Sequence, residues 1–193
     1  MLFRSEAVEL LPDPAVVPDQ SFRQAIASTG LAWHVRDRIT HVEMLLVPPG
    51  RFMMGCSDYV LNGRGGHDRC EDAAQGADRG LPVHEVHIGH AFYLARFELT
   101  QAQWQAQMGN NNSVWQSSID PSSLMRPADS LTWEAVHRYL TATGMRLPTE
   151  AEWEFACRAG TDAPFHDGTN FEGDGSAGLY SIAWYASQGD RPP

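Results

Sequence analysis

Lysine is absent from this 193-residue chain, so all 14 of its basic residues are arginine. Schiff-base catalysis and a phosphate-binding P-loop both need a lysine ammonium, and both are therefore excluded. The 24 acidic residues give the chain a formal net charge of −10, and no run of basic residues interrupts this acidic balance. Such a chain is a poor partner for nucleic acid or for an anionic membrane, and we predict binding to neither.

Long apolar runs are also missing. None approaches the roughly 20 residues that a helix needs to cross a bilayer, so we predict no membrane span. The first residues, Met1 to Glu6, lack the basic start, the long apolar stretch and the cleavage site of a signal peptide. The chain does contain 42% hydrophobic residues and six tryptophans, a composition that predicts a packed core. Its length suits one domain with an N-terminal extension.

Cysteine is scarce, and three residues are too few for a disulfide scaffold. Cys56 and Cys70 flank a glycine-rich polar segment, and a bridge between them would stabilise the fold by roughly 3 kcal/mol in an oxidising compartment. The alternative is two unpaired thiols on an insertion, and the sequence leaves both open. A bridge would imply export, and without it the sequence does not indicate a location.

The N-terminal 40 residues are predicted to form an extension. Prolines interrupt regular structure there, and a short helix capped by Asp19 or Ser21 is predicted to follow them. Trp33 and Val35 are then predicted to lead the chain onto the surface of the domain.

From Val42 the pattern becomes that of β-strands. Apolar side chains alternate up to Val47, Pro48-Pro49-Gly50 predicts a turn, and residues 51–54 return, so we predict a hairpin. After a glycine-rich loop, two further strands are predicted within residues 83–99. His84 and His87 would point to opposite faces of the first of these, so they would not share a metal ion. An enzyme built on these histidines is a further hypothesis.

Helices are predicted in the second half of the chain, each after a capping threonine. The three caps are Thr100, Thr132 and Thr149. Apolar side chains recur behind each cap at helical spacing, which predicts one buried face per helix. The side chains predicted to be buried there are Trp104, Trp133, Trp153 and Cys157.

The most specific stretch runs from Gly144 to Gly160, with the sequence GMRLPTEAEWEFACRAG. Gly144 is predicted to end one helix in the left-handed conformation that glycine adopts easily. Thr149 and Glu152 form a capping box that begins the next helix, and Gly160 is predicted to end it. Propensity explains a capped helix here, but it does not explain so specific a string.

This stretch resembles the signature of the formylglycine-generating enzyme family, whose members are also called sulfatase-modifying factors. Three other segments match the family in the expected order: Met44–Gly55, Pro82–Thr100 and Arg126–Trp133. The resemblance covers roughly residues 41–186 and implies an α+β class, a C-type-lectin-like fold with antiparallel strands, two to three helices and long irregular loops. The implied organisation is an N-terminal extension over residues 1–40 and a family domain over residues 41–193.

The resemblance implies oxidation of a cysteine in a protein or peptide substrate by molecular oxygen. In the family, copper is held by two cysteine thiolates near the C-terminal end of the domain. This chain stops before the expected Gly-Asn-Val-Trp-Glu-Trp type of motif, and Cys157 lies inside the helix signature. We therefore expect the N-terminal part of such a domain, incomplete at its C-terminus and without catalytic residues or cofactors of its own. The alternative is a non-catalytic, lectin-like binding module of the same superfamily.

The resemblance also implies a calcium site, at positions similar to Ser181 and Ile182. The family uses an asparagine side chain and the next carbonyl there, and the serine of this chain weakens the site. Copper and calcium are thus implied only for the complete family domain.

Overall fold

The computed structural model describes residues 4–55, 60–61, 67–68, 83–116 and 120–161. Its strands are β1 (Ser5–Glu9), β2 (His34–Asp37), β3 (Glu43–Val47), β4 (Gly50–Met54), β5 (Val60–Leu61), β6 (His67–Asp68), β7 (His84–Ile88) and β8 (Phe92–Ala95). Its α-helices are α1 (Gln20–Ser28), α2 (Gln101–Met108), α3 (Trp133–Thr143) and α4 (Glu150–Arg158), and a 3-10 helix covers Pro121–Met125. Antiparallel strands with segregated helices confirm the predicted α+β class.

The chain divides into two compact units, which are described separately. The first unit comprises Met1–Pro49 and Gly89–Pro148, and the second comprises Gly50–Ile88 and Thr149–Pro193. Within the described ranges, no helix is both long enough and apolar enough to cross a membrane.

The first unit is built on an antiparallel sheet with strand order β1-β2-β3-β8. Its core contains Ile26 of α1, Trp33 and Leu46, each buried. Trp33 and Val35, which were predicted to lead the chain onto the domain, are both buried. The strand β2 places Val35 opposite Met44 in the middle of the sheet, and Trp33, directly before β2, packs with Ile26 and Leu46. The predicted boundary between residues 40 and 41 stays a prediction.

The second unit pairs β4 with β7 in a continuous antiparallel register from Gly50↔Ile88 to Met54↔His84. Phe155 of α4 packs on this pair, with its ring centroid 5.4 Å from that of Phe52. The predicted hairpin of β3 with β4 is wrong, because β3 pairs with β2 and β8 instead. Pro48 and Pro49 separate the strands, and they carry the chain from one sheet to another.

The predicted helix caps are confirmed. Thr100 and Thr149 each accept a hydrogen bond from the third residue of the following helix, and the side chains of Gln103 and Glu152 complete two capping boxes. Thr132 caps α3, and Gly144 follows it in the left-handed conformation. The helix α4 ends one residue earlier than predicted, because Ala159 is its left-handed C-cap.

Two of the three tryptophans predicted to be core residues are exposed. Trp104 is buried, with 2% of its surface exposed, whereas Trp133 is 64% and Trp153 57% exposed. Cys157 is exposed as well, so its predicted place in the core is wrong. An apolar residue at helical spacing is buried only where another element covers that face, and these faces of α3 and α4 are left open.

Candidate functional site

An open groove runs along α3 and the segment that follows it in the first unit. Its volume is about 340 Å³. The described residues that line it are Trp133, His137, Leu140, Thr141, Met145, Arg146 and Leu147. Concave sites with an apolar lining and a few polar groups are typical of ligand binding, so this groove is the candidate functional site.

The helix α3 aligns the groove residues along one of its faces. Trp133, His137 and Thr141 are spaced by four residues, which stacks them along the helix. The ring centroids of Trp133 and His137 lie 4.6 Å apart in an edge arrangement at 65°. Gly144 then reverses the chain at φ 63°, and this turn brings Met145 to Leu147 back beside the helix. The turn therefore creates the second wall of the groove.

The opposite face of α3 is anchored in the interior of the unit. Tyr139 is buried there and stacks on Trp104 of α2, with ring centroids 5.4 Å apart and planes at 12°. Burial raises the pKa of Tyr139 to about 12, and the negative charge of Asp37 contributes to the same shift. The phenol is thus neutral over the physiological range and acts as a packing group. A helix fixed in this way presents its exposed face on a rigid support.

A network of polar contacts holds the C-terminal end of α3. Arg4 donates hydrogen bonds to both carboxylate oxygens of Asp37 and to the carbonyl of Thr143. Asp37 also accepts from the backbone and the hydroxyl of Thr40, at 2.7 and 2.8 Å. Burial opposes ionisation of Asp37, but these donors outweigh burial and lower the pKa of the carboxyl group. The last turn of α3 is therefore bonded to the sheet through Arg4.

The signature helix α4 forms a second arrangement, within the second unit. Glu154 accepts a hydrogen bond from the backbone N–H of Gly55 at 2.9 Å, and Arg158 donates to the carbonyl of the same residue at 2.5 Å. Glu154 and Arg158 also pair with each other at 2.8 Å. The two side chains thus hold Gly55, the residue that follows β4. Glu154 and Arg158 of the signature stretch therefore have a structural role.

Several of the residues predicted as sites fall outside the part of the chain that the structure describes. Ser181 and Ile182 lie outside the described residues, as do Cys56 and Cys70. His84 and His87 are both exposed on β7, whose unbroken register directs them to opposite faces. In the described part of the chain, no group of three or more histidine, cysteine, aspartate or glutamate side chains has the arrangement of a metal site.

Copper is the metal that the family resemblance implies. A centre held by two thiolates does not fit the described residues, since Cys157 is the one cysteine among them and lies exposed on α4. No chemical step is therefore assigned to copper.

Comparison with known proteins identifies the family. A family model described as the sulfatase-modifying factor enzyme 1-like domain matches residues 31–190. The chain therefore belongs to the sulfatase-modifying factor family, and the resemblance drawn from the signature helix is confirmed. The match begins at residue 31, ten residues before residue 41, where the family domain was predicted to start.

Similar proteins carry different names. The chain is 28% identical over 141 residues to the chaperone protein LppX of Paenibacillus barcinonensis, an alignment that covers 52% of this chain and 46% of LppX. It is 39% identical over 61 residues to the formylglycine-generating enzyme of Thermomonospora curvata, covering 32% of this chain and 18% of the enzyme. The structure of PvdO from Pseudomonas aeruginosa aligns with a TM-score of 0.49 and 21% identity, over 83% of this chain and 67% of PvdO. The chain spans less than half the length of both curated relatives.

Sequence reasoning missed the groove because it assigned Trp133 to the core. A signal was nevertheless present. Trp133 begins a stripe whose next members at four-residue spacing, His137 and Thr141, are polar, whereas Val136 and Leu140 belong to a neighbouring apolar stripe. A tryptophan on the polar stripe of a helix is a candidate for a binding surface.

Proposed function

We propose that this chain acts as a protein-binding domain of the sulfatase-modifying factor family, and that it does not oxidise cysteine by itself. The observation that carries the proposal is the groove of α3, with Trp133 exposed at one end. Exposed tryptophans on a fixed backbone supply a large part of the binding free energy at protein interfaces.

The support beneath the groove favours binding without a large rearrangement. Tyr139 and Trp104 pack against the buried side of α3, and Arg4 is bonded to the carbonyl of Thr143 at its last turn. A preformed site loses less conformational entropy when a ligand binds. The groove is open, and its lining extends from Trp133 to Leu147, which suits a segment of another chain.

The family context agrees with a protein ligand. One similar protein is named a chaperone and another a formylglycine-generating enzyme, and this family acts on protein substrates. The shared domain can therefore serve to recognise a polypeptide segment, both in relatives that catalyse a reaction and in relatives that do not.

Fluorescence anisotropy with labelled peptides tests the proposal. Three short peptides with amidated C-termini would share a central Phe-Leu pair, flanked by acidic, by neutral or by basic residues. We expect at least one to bind, and we expect Trp133→Ala to weaken its binding about tenfold, as for an interface hot spot. Trp153→Ala is the matched control, because Trp153 is similarly exposed but lies in the other unit. Failure of all three peptides to bind would overturn the proposal.

A second candidate function is cysteine oxidation as part of a formylglycine-generating enzyme. The 39% identity to the enzyme of Thermomonospora curvata favours it. The purified chain would be incubated with a Cys-x-Pro-x-Arg peptide, copper and oxygen, and aldehyde formation would be followed by mass spectrometry. We expect no product, because soft Cu(I) ions prefer thiolate ligands and the described residues contain the single cysteine Cys157, exposed on α4. Turnover that depends on copper would establish the second candidate instead.

A further inference from the structure

We propose that Arg4 is a positioning residue for the α3 groove, and that it couples occupancy of the groove to the docking of strand β1. The inference rests on the proposed function, because it concerns the regulation of that same site. Arg4 is not one of the residues that line the groove. It would therefore act only through the helix end and the turn that it contacts.

The last turn of α3 receives its cation from a distant part of the chain. No basic residue lies in that turn, and the last carbonyls of a helix have no partners within the helix. The Arg4 guanidinium donates a hydrogen bond to one of them, the carbonyl of Thr143. The helix dipole also favours a cation at this end. Arg4 thus provides, from the start of the chain, what α3 lacks at its own C-terminus.

The same guanidinium lies against the turn that forms the second wall of the groove. A Cβ at Gly144 would stand 3.6 Å from Nη1 of Arg4, a distance of ordinary van der Waals contact. Gly144 is the left-handed residue from which the chain returns to residues 145–147 beside the helix. Displacement of Arg4 would thus release both the last turn of α3 and the start of that wall.

Arg4 is itself fixed by the sheet. Its Nε and Nη2 donate to Oδ2 and Oδ1 of Asp37 at 2.6 and 3.0 Å, and Asp37 is the buried last residue of β2. Two donors of the guanidinium meet the carboxylate while a third reaches Thr143. A lysine ammonium is a point charge on a flexible stem and does not reproduce this planar fork. The link between β2 and α3 therefore needs arginine.

The strand that follows Arg4 has little to hold it in place. Among the described strands, β1 pairs with β2 alone, and its register shifts between Ala7 and Glu9. The residues of β1 are exposed or only partly buried. Segments with few buried contacts open locally at a low free-energy cost. When β1 opens, Arg4 moves with it, so the groove keeps its full support only while β1 is docked.

This coupling is measurable in the unmutated protein, because coupling between two binding events is reciprocal. If docking of β1 raises the affinity of the groove for a peptide, the bound peptide favours docking of β1 by the same factor. Hydrogen exchange would be followed by mass spectrometry with the tightest binder of the three Phe-Leu peptides. We expect exchange in residues 5–9 to slow about fivefold at saturation, while exchange in α1 stays unchanged as a reference.

Arg4→Lys removes the link and keeps a positive charge beside Asp37. We expect it to weaken binding of the same peptide about fivefold and to abolish the exchange response of β1. Arg23→Lys is the matched control, since Arg23 also donates to backbone carbonyls of the first unit, those of Val17 and Pro18. It should change neither measurement. Thermal melting of each variant sets a temperature at which all are folded.

Two outcomes would overturn the inference and leave the proposed function standing. One is a bound peptide that leaves the exchange of β1 unchanged in the unmutated protein, and this result decides alone if Arg4→Lys does not fold. The other is equal peptide affinity in the two lysine variants. Failure of all three peptides to bind would overturn both the inference and the proposed function.

Discussion

The two units differ in how each uses an arginine–carboxylate pair. In the first unit, Arg4 Nε lies 2.6 Å from Asp37 Oδ2, and the Asp37 side chain is 5% exposed. In the second unit, Arg158 Nη2 lies 2.8 Å from Glu154 Oε1, and both side chains are 22% exposed. The contacts are alike and Arg4 is itself 29% exposed, but the carboxylate of the first pair is shielded from water whereas that of the second is not. Loss of a partner therefore matters more in the first unit, where a charge would remain buried.

The sequence separation of the two pairs differs as well. Arg4 and Asp37 are 33 residues apart, and Arg4 also reaches the carbonyl of Thr143, 139 residues away. Glu154 and Arg158 are four residues apart on one helix, so this pair is in place whenever α4 forms. The first pair exists only in the assembled unit.

Removal of the buried charge should give the largest effect. We expect Asp37→Asn to lower the free energy of unfolding by about 3 kcal/mol, because Arg4 and Thr40 lose a charged acceptor. Urea denaturation measures the loss. Glu6→Gln is the control, since Glu6 and Arg36 form an exposed contact of 3.9 Å that should contribute under about 0.5 kcal/mol. Equal losses in the two variants would contradict the comparison.

Acid should reproduce part of this loss without a mutation. The pKa of Asp37 in the folded protein lies below its ordinary value of 3.8, so folding favours the ionised form. The stabilisation is complete above the unfolded pKa and is lost as the pH falls through the folded pKa. We expect unfolding free energy to decline more steeply below about pH 4 in the wild type than in Asp37→Asn. Parallel pH profiles would show that Asp37 does not contribute.

A methyl group at Gly50 should disturb the second unit. A Cβ there would lie 2.6 Å from the Phe155 ring, so we expect Gly50→Ala to cost about 2 kcal/mol through overpacking. Phe155→Leu in the same chain should recover part of this cost by shortening the side chain. Gly89→Ala is the control, because a methyl group added to Gly89 would have no atom of the described residues within 4 Å apart from its chain neighbours. Equal denaturation midpoints for Gly50→Ala and Gly89→Ala would show that the Phe155 ring does not oppose a side chain at position 50.

Loss of a capping box should lower the free energy of unfolding least, and by a similar amount at the two boxes. Thr100→Ala and Thr149→Ala each remove one box, and we expect each to cost about 1 kcal/mol. Thr141→Ala, inside α3, is the control, since alanine favours helix interiors. An unchanged denaturation midpoint for either cap variant would show that its threonine does not stabilise the helix.

Features of short range were predictable from the sequence. Three helices begin after Thr100, Thr132 and Thr149. Each threonine side chain accepts a hydrogen bond from a backbone N–H only three residues further on, so the cap can be recognised locally. Strands at residues 43–47 and 84–88 follow from alternation that needs no distant partner to be recognised. The signature from Gly144 to Gly160 identified the family for the same reason.

The candidate site was predictable only in part. The sequence showed that Trp133 and His137 share a face of α3, since helical spacing places them there. It did not show that this face stays open while the Tyr139 face is covered. The position of Arg146 beside the groove depends on the turn at Gly144, whose direction the sequence leaves undetermined.

The sequence by itself determined the family, the α+β class, the helix caps and the acidic charge of this protein. Only the tertiary structure decided that β3 pairs with β2 and β8, that β4 pairs with β7, and that Trp33 is buried whereas Trp133 is exposed. The physical reason is range. A cap or a periodic pattern is complete within a few residues, whereas strand partners and covered faces depend on residues that are distant along the chain.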